Sequence, residues 1–183
     1  MKTWLFTWNK EKFEWNDALY GYHEMMDEIH QIGYSFCKWN CHSNKSFDIG
    51  DRFFLIKLGS YPKGIIGSGT IASNYFDGSH PYKENTIVKR VYLKFDRIYD
   101  YETDSILDYN ELLKIDDSFN WLNPISGTII PASISKVIER KWEELDSEHF
   151  LKNFGVEFIK DRVGASKNII LKEYIPLLSQ YDF

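Results

Sequence analysis

The chain has 183 residues, 43% of them hydrophobic, and 22 Lys and Arg against 27 Asp and Glu give it a formal charge of −5. That length suits one domain of ordinary size with an appendage, and the acidic balance by itself gives no reason to expect an anionic partner. The outlier is the aromatic share of 17%, with 6 Trp, 12 Tyr and 13 Phe; such side chains fill cores, and they also stack on bases and grip flat ligands.

Residues 2–8, KTWLFTW, read as a strand rich in β-branched and aromatic residues and closed by the turn former Asn9. A helix is predicted over 17–31, capped by Asn16, with Gly33 just past its end and a core-facing stripe of Leu19, Tyr22, Met26 and Ile29. The following stretch, GYSFCKWNCHSNKSFDIGDRF, mixes aromatic and basic residues with small polar ones and closes on a Gly-Asp turn. Strands are expected at 51–58, 64–73 and 87–99, the first two joined by the loop GSYPKG. In the third, Val91, Leu93 and Phe95 alternate with Tyr92, Lys94 and Asp96, the pattern of a sheet with one buried face. Gly64, Gly67 and Gly69 weaken the second strand, so they signal a bulge, tight curvature or close backbone approach. A short helix near 108–114, the loop NWLNPISG, the strand fragment TII and, through Pro131, a helix at 132–145 complete this part. The order favours an α+β fold, a small partly open barrel with helices covering its ends. In the tail, 146–183, DSEHFLKNFG reads as one more helix ended by Gly155, and NIILKEYIPLL either packs back or begins a linker to another domain.

Charge is unevenly spread. Residues 34–67 carry five cations (Lys38, Lys45, Arg52, Lys57, Lys63) against Asp48 and Asp51, a balance of +3, whereas 98–117 carry seven acids against Lys114, a balance of −6. An acidic molecule can thus present a basic face. Cys37 and Cys41 are too few for a disulfide framework, which makes a cytoplasmic location the simplest expectation. The N-terminal segment has neither the apolar length of a membrane span nor a cleavage site of small residues.

Catalytic chemistry finds little support. Metal-dependent cleavage needs paired acids with a lysine, but after Asp51 the second acid's position is taken by Leu55, ahead of Lys57. Cys37, Cys41 and His42 would crowd a zinc ion, and a fourth ligand from His23, His30 or elsewhere lacks a paired motif. His42 directly follows Cys41, so in an extended chain the two point to opposite faces. Gly67-Ser68-Gly69 lacks both the spacing of a nucleophile elbow and the Lys of a phosphate loop. No catalytic residue, metal or cofactor is assigned, and a binding module is favoured.

The opening TWLFTWNKEKFEWNDAL, the block KWNCHSNKSFDIGDRFFLIKLGSYPKGIIGSGTIAS, the block VYLKFDRIYDYETDSILDYNELLK and the closing SGTIIPASISKVIERKW resemble, in order and spacing, the EVE domain family. Residues 1–145 carry the resemblance and 146–183 lie outside it as a C-terminal extension or linker. More narrowly, TWLFTWN with NWLNPISG is similar to the EVE-like domains at the N-termini of modification-dependent restriction enzymes. The resemblance implies a PUA-like barrel, related to the YTH readers, with a pocket for a flipped, chemically modified base. It also implies a nuclease or GTPase domain or subunit as partner and no membrane role. Two departures stand out. Thr7-Trp8-Asn9 replaces a Ser-Glu-Pro-like turn, and the second aromatic wall of a YTH cage would fall near Arg97, so another wall is needed.

Within that pocket Trp39 suits the stacking role because polar Asn40, Cys41 and Ser43 surround it and offer donors and acceptors to a base edge; core packing is the alternative. Trp8, at a strand end, serves either packing or the second wall. Trp121 is the other candidate wall, partly exposed in its loop or covering the barrel end, and Asn9 is a turn residue and a candidate base contact. Trp4, Trp15 and Trp142 are assigned to packing. Lys38, Lys45 and Lys63 flank the pocket as candidate phosphate contacts, each alternatively a solvated lysine. Modified DNA is the expected partner; RNA, or a small molecule on the same barrel, are the alternatives.

Overall fold

The computed structural model describes residues 1–13, 15–17, 20–41, 46–80 and 84–163. In chain order it contains β1 (Thr3–Asn9), β2 (Asn16–Asp17), β3 (Tyr20–Gly21), α1 (Tyr22–Ile32), β4 (Ser35–Asn40), β5 (Arg52–Leu58), β6 (Gly64–Ile71), β7 (Phe76–Ser79), β8 (Ile87–Ile98), β9 (Leu107–Asp108), α2 (Tyr109–Ile115), β10 (Thr128–Ile130) and α3 (Ala132–Val163). The chain divides into two compact units, Met1–Ile138, which holds the whole sheet, and Glu139–Phe183. No helix among the described residues is long and apolar enough to cross a membrane.

The main sheet runs β10-β1-β5-β6-β8-β4, with β7 on β8 and β9 on β6. Every pairing is antiparallel except β1 with β5, where Thr3 lies opposite Arg52 and Asn9 opposite Leu58. β5 reads as a near-continuous apolar run, RFFLIKL, because both of its faces are covered: Phe53 to Leu58 are all buried. β8 is covered on one side only, so Val91, Leu93 and Phe95 are buried while Tyr92 and Asp96 are exposed, as the alternation predicts. Register shifts interrupt β5–β6 between Leu55 and Ile56, and β6–β8 between Ser68 and Gly69. Such irregularities bend a strand and strengthen its twist. At Gly69 a Cβ would run into the Lys94 carbonyl and the Phe53 ring, so this is the close approach that the glycines signalled.

The bending brings the two ends of the sheet toward each other without joining them by a ladder among the described residues. Gly127, with φ of +88°, sits where a Cβ would lie 2.9 Å from the Phe47 ring and 3.7 Å from the Cys41 carbonyl. The chain leading into β10 therefore meets the chain leaving β4. The result is a partly open barrel with a seam between β1 and β4, its inside filled by Trp4, Phe6, Phe53, Leu55, Ile66, Leu93 and Phe95.

Two sequence expectations change. The first helix starts at Tyr22 instead of 17, with Gly21 at its N-cap and no side-chain cap. Trp15 and Tyr22 pack edge to face at 5.3 Å, so the chain between them must double back, and Asn16–Asp17 pairs with Tyr20–Gly21 instead of starting a helix. Of the predicted stripe Tyr22 is buried, Met26 and Ile29 are partly buried, the fully buried position is Met25, and Leu19 lies outside the described residues. At the other end Gly155 lies inside α3, which continues to Val163, while the NIILKEYIPLL segment lies outside the described residues.

The acids of 98–117 mostly serve local turns. Asp108 caps α2, its carboxylate accepting from the backbone N–H of Asn110 at 2.7 Å and of Glu111 at 3.0 Å. Asp116 does the same for Ser118 and Phe119. Asp108→Ala is expected to lower stability by about 1 kcal/mol, the usual worth of an N-cap, measured by urea unfolding.

Candidate functional site

The seam holds a cavity of about 530 Å³, within the range of small-ligand sites. β1 contributes Thr7, Trp8 and Asn9, the turn after it Lys12, Phe13 and Trp15, and β4 contributes Cys37, Lys38, Trp39 and Asn40. Ser79, His80 and Arg90 close it from β7 and β8, and Pro124 and Ser126 from the loop before β10. Trp39 is 6% exposed and belongs to the core cluster, opposite Val91, and its ring meets three aromatic neighbours. Trp15 is at 4.9 Å and 71°, Phe13 at 6.2 Å and 80°, and Phe95 at 6.4 Å and 63°. These edge contacts hold the indole while the cavity lies alongside.

The other sequence-predicted residues separate into those that reach the cavity and those that do not. Trp8 lines it, stacked on Tyr22 at 5.7 Å, with its indole N–H already donated to the Phe13 carbonyl at 2.9 Å. Asn9 is a turn residue at the cavity: its carbonyl accepts from Lys12 and Phe13, and its side-chain oxygen from Glu11 N–H at 3.0 Å. Lys38 is exposed and lines the cavity. Cys41 does not line it; the residue is fully buried in the core, and burial pushes its thiol up to about 11, so it packs as a neutral group. Trp121 is corrected too. It is 1% exposed, its indole N–H donates to the Asp116 carbonyl at 2.8 Å, and its ring packs on Phe119 at 4.6 Å. Its loop reaches the cavity through Pro124 and Ser126, which are tied to Thr7 by hydrogen bonds of 3.1 Å. Lys63, half-buried between β5 and β6, is not among the lining residues, nor is half-buried Arg97, which lies opposite Ser68. Ser43 and Lys45 fall outside the described residues.

Three residues of the cavity wall each carry a buried polar atom with no hydrogen-bond partner among the described residues: the indole nitrogen Nε1 of Trp15, Oδ1 of Asn40 and Nε of Arg90. Each such atom costs about 1–3 kcal/mol in a folded protein, and native chains carry few of them. Here the three belong to residues that line one aromatic cavity, each atom itself closed off from solvent. Lys12, Lys38 and Arg90 line it together with His80, and among the described residues no Asp or Glu does, so the described wall is electropositive in a chain of net charge −5.

No protein-family model and no curated protein matches this sequence. Solved structures do resemble it. A hypothetical protein from Leishmania major superposes with a TM-score of 0.53 at 18% identity, over 79% of this chain and 96% of its own. A protein from Pseudomonas syringae gives 0.51 at 14%, over 75% and 97%. The human THYN1 protein, solved in complex with 5-methylcytosine containing DNA, gives 0.51 at 14%, over 75% and 95%. The fold is PUA-like.

Within this PUA-like sheet, Trp15 and Arg90 are two of the cavity residues that sequence reasoning missed, with Lys12, Phe13 and His80 among the others; Trp15 packs in the core as expected and lines the cavity as well. Trp15 passed as a packing residue because nothing in FEWND distinguishes an indole facing a cavity from one facing the core. Its place beside Trp39 depends on the β2–β3 reversal. Arg90 enters because β4 pairs with β8 so that Asn40 lies opposite Arg90, a register no local pattern contains. Among the described residues no group of three or more His, Cys, Asp or Glu is placed to hold a metal ion.

Proposed function

We propose that this chain is a non-catalytic nucleic-acid reader of EVE-like type that takes an everted, modified base into the cavity beside Trp39. The observation that carries the reading is a cavity walled by Trp8, Trp15 and Trp39 with Lys12, Lys38 and Arg90, and with no Asp or Glu in that wall among the described residues. Cytosine and adenine each offer an exocyclic amine to an acceptor such as the side-chain amide of Asn40, and a ring nitrogen to a donor such as the guanidinium of Arg90, both residues of the cavity wall. Everting a base costs a few kcal/mol, and stacking on an indole at about 1–3 kcal/mol per contact, with hydrogen bonds from polar side chains of the cavity wall, offsets it. A methyl group adds only about 0.8 kcal/mol when buried, so selectivity also depends on a shape that leaves a void in its absence.

Support for modified DNA comes from the likeness to the human THYN1 protein, solved with 5-methylcytosine containing DNA. On this reading residues 1–145 form the specificity domain of a cytoplasmic modification-dependent restriction system, and cleavage belongs to a nuclease or GTPase domain or subunit. The test is fluorescence anisotropy at low salt with matched duplexes, plain or carrying methylated adenine, methylated cytosine or hydroxymethylated cytosine, and with the corresponding RNAs. One modified DNA is expected to bind at least tenfold more tightly than its plain counterpart. Equal affinity for all of them, or a preference confined to RNA, would overturn the DNA reading.

A further inference from the structure

The most exposed aromatic face of the sheet lies outside the cavity. β4 is inverted at its first pair, Ser35 buried and Phe36 outward, and regular beyond it, with Trp39 buried, Cys37 half-buried and Lys38 outward. On the same outer face Tyr34 is 37% exposed, Phe36 49% and Tyr92 41%. They are contiguous. Tyr34 and Phe36 meet edge to face at 5.6 Å, the Lys94 ammonium lies 4.3 Å above the Tyr34 ring, and Tyr92 stacks on Phe76 at 5.2 Å. The β4–β8 register sets Phe36 opposite Lys94 and Lys38 opposite Tyr92, so aromatic and cationic side chains alternate across the two strands. Solvent faces of antiparallel sheets are ordinarily polar, and a contiguous exposed apolar patch marks an interaction surface. Neither Lys38 nor Lys94 pairs with a carboxylate among the described residues. The face is continuous with the cavity, since Lys38 belongs to both.

We infer that this outer face of β4, β8 and β7 is a stacking track for single-stranded nucleic acid, holding the strand that flanks the base in the cavity. The inference rests on the base-reading proposal for the direction of the strand. Flat rings interleaved with unpaired cations bind unstacked bases and phosphates together, with little regard to sequence. A protein partner would gain the same apolar contacts but would leave the two cations without a counter-charge.

The experiment uses the full chain and a fluorescein-labelled oligothymidylate 12-mer, with an oligouridylate 12-mer to compare the sugars. The chain is expected to bind at low salt. The double variant Phe36→Ala, Tyr92→Ala should bind at least tenfold more weakly with an unchanged Tm, because both side chains face solvent. Phe36→Leu, which keeps the apolar area and removes the ring, should shift affinity the same way. Lys38→Ala with Lys94→Ala should flatten the log–log salt slope by about 1.4, the value for two single-strand phosphate contacts. The aromatic variants, at Phe36 and Tyr92, which do not line the cavity, should leave the ratio of modified to plain duplex affinity unchanged, so the cavity reading and this one fail separately. Wild-type affinity retained in the double aromatic variant, or no oligothymidylate binding by the wild type, would refute the track. So would self-association, seen by sedimentation, that the aromatic variants abolish while oligonucleotide binding persists.

Discussion

Trp39→Ala is expected to erase the preference for modified over plain DNA, lowering affinity for the modified duplex at least tenfold and leaving the plain duplex little changed. The indole is held by edge contacts with Trp15, Phe13 and Phe95 and borders the cavity, so its removal takes away a stacking contact worth about 1–3 kcal/mol. The same truncation also leaves a void in a cluster that includes Trp8, Trp15 and Phe95, and a stability loss of about 3 kcal/mol accompanies it. Binding must therefore be read at a temperature where circular dichroism shows the variant folded. Asn40→Leu separates the two effects. It removes a buried acceptor that has no partner among the described residues, so it should leave the Tm unchanged or raised while still lowering affinity for the modified base. A Trp39→Ala protein that is folded and keeps its modified-to-plain ratio would remove Trp39 from the site, and an Asn40→Leu protein with a lowered Tm and intact binding would make that side chain structural.

Asp51→Ala is expected to cost about 3 kcal/mol of stability, the effect of stranding buried donors. The side chain, in a residue only 2% exposed, accepts from the Trp4 indole N–H at 2.9 Å, the Lys2 backbone N–H at 2.8 Å and the Asp48 backbone N–H at 3.2 Å. These bonds tie the start of β1 to the turn before β5 and so set the one parallel pairing of the sheet. Burial alone would raise the carboxyl's pKa, but the hydrogen bonds from Trp4, Lys2 and Asp48, with the Lys2 charge, hold it below its ordinary 3.8. A carboxylate depressed in the folded state contributes stability above its unfolded pKa of about 3.9, and loses it as pH falls through the folded value. Urea unfolding from pH 7 down to pH 3 should show the wild type weakening in the acid range and Asp51→Asn weakening less steeply. Parallel pH profiles for the two proteins would assign the acid sensitivity to other groups. The same residue, considered from sequence as a nuclease acid, has its carboxylate committed to holding the strands together.

The elements with strong local signals were legible from the chain itself. β1, β5 and β8 carry apolar runs or clean alternation, Gly33 ends α1 at φ of +85°, and the glycines of β6 announced the close approach at Gly69. β4 was missed as a strand because its first pair breaks the hydrophobic alternation: Ser35 is buried and Phe36 faces water, while only Cys37, Lys38 and Trp39 follow it. The inversion makes physical sense only with the pairing to β8 known, since Lys38 and Phe36 then face Tyr92 and Lys94 across a basic, aromatic surface.

By itself the sequence determined the α+β class, the elements with regular periodicity, the basic bias of residues 34–67 and the candidacy of Trp39, Trp8 and Lys38, because composition and spacing act over a few neighbouring residues. Tertiary structure alone decided that Trp15, Asn40 and Arg90 line one cavity, and that Cys41 and Trp121 do not reach it. The reason is distance along the chain. Those three lie on the turn after β1, on β4 and on β8, and only the bulged, curled sheet and its β4–β8 register bring them together.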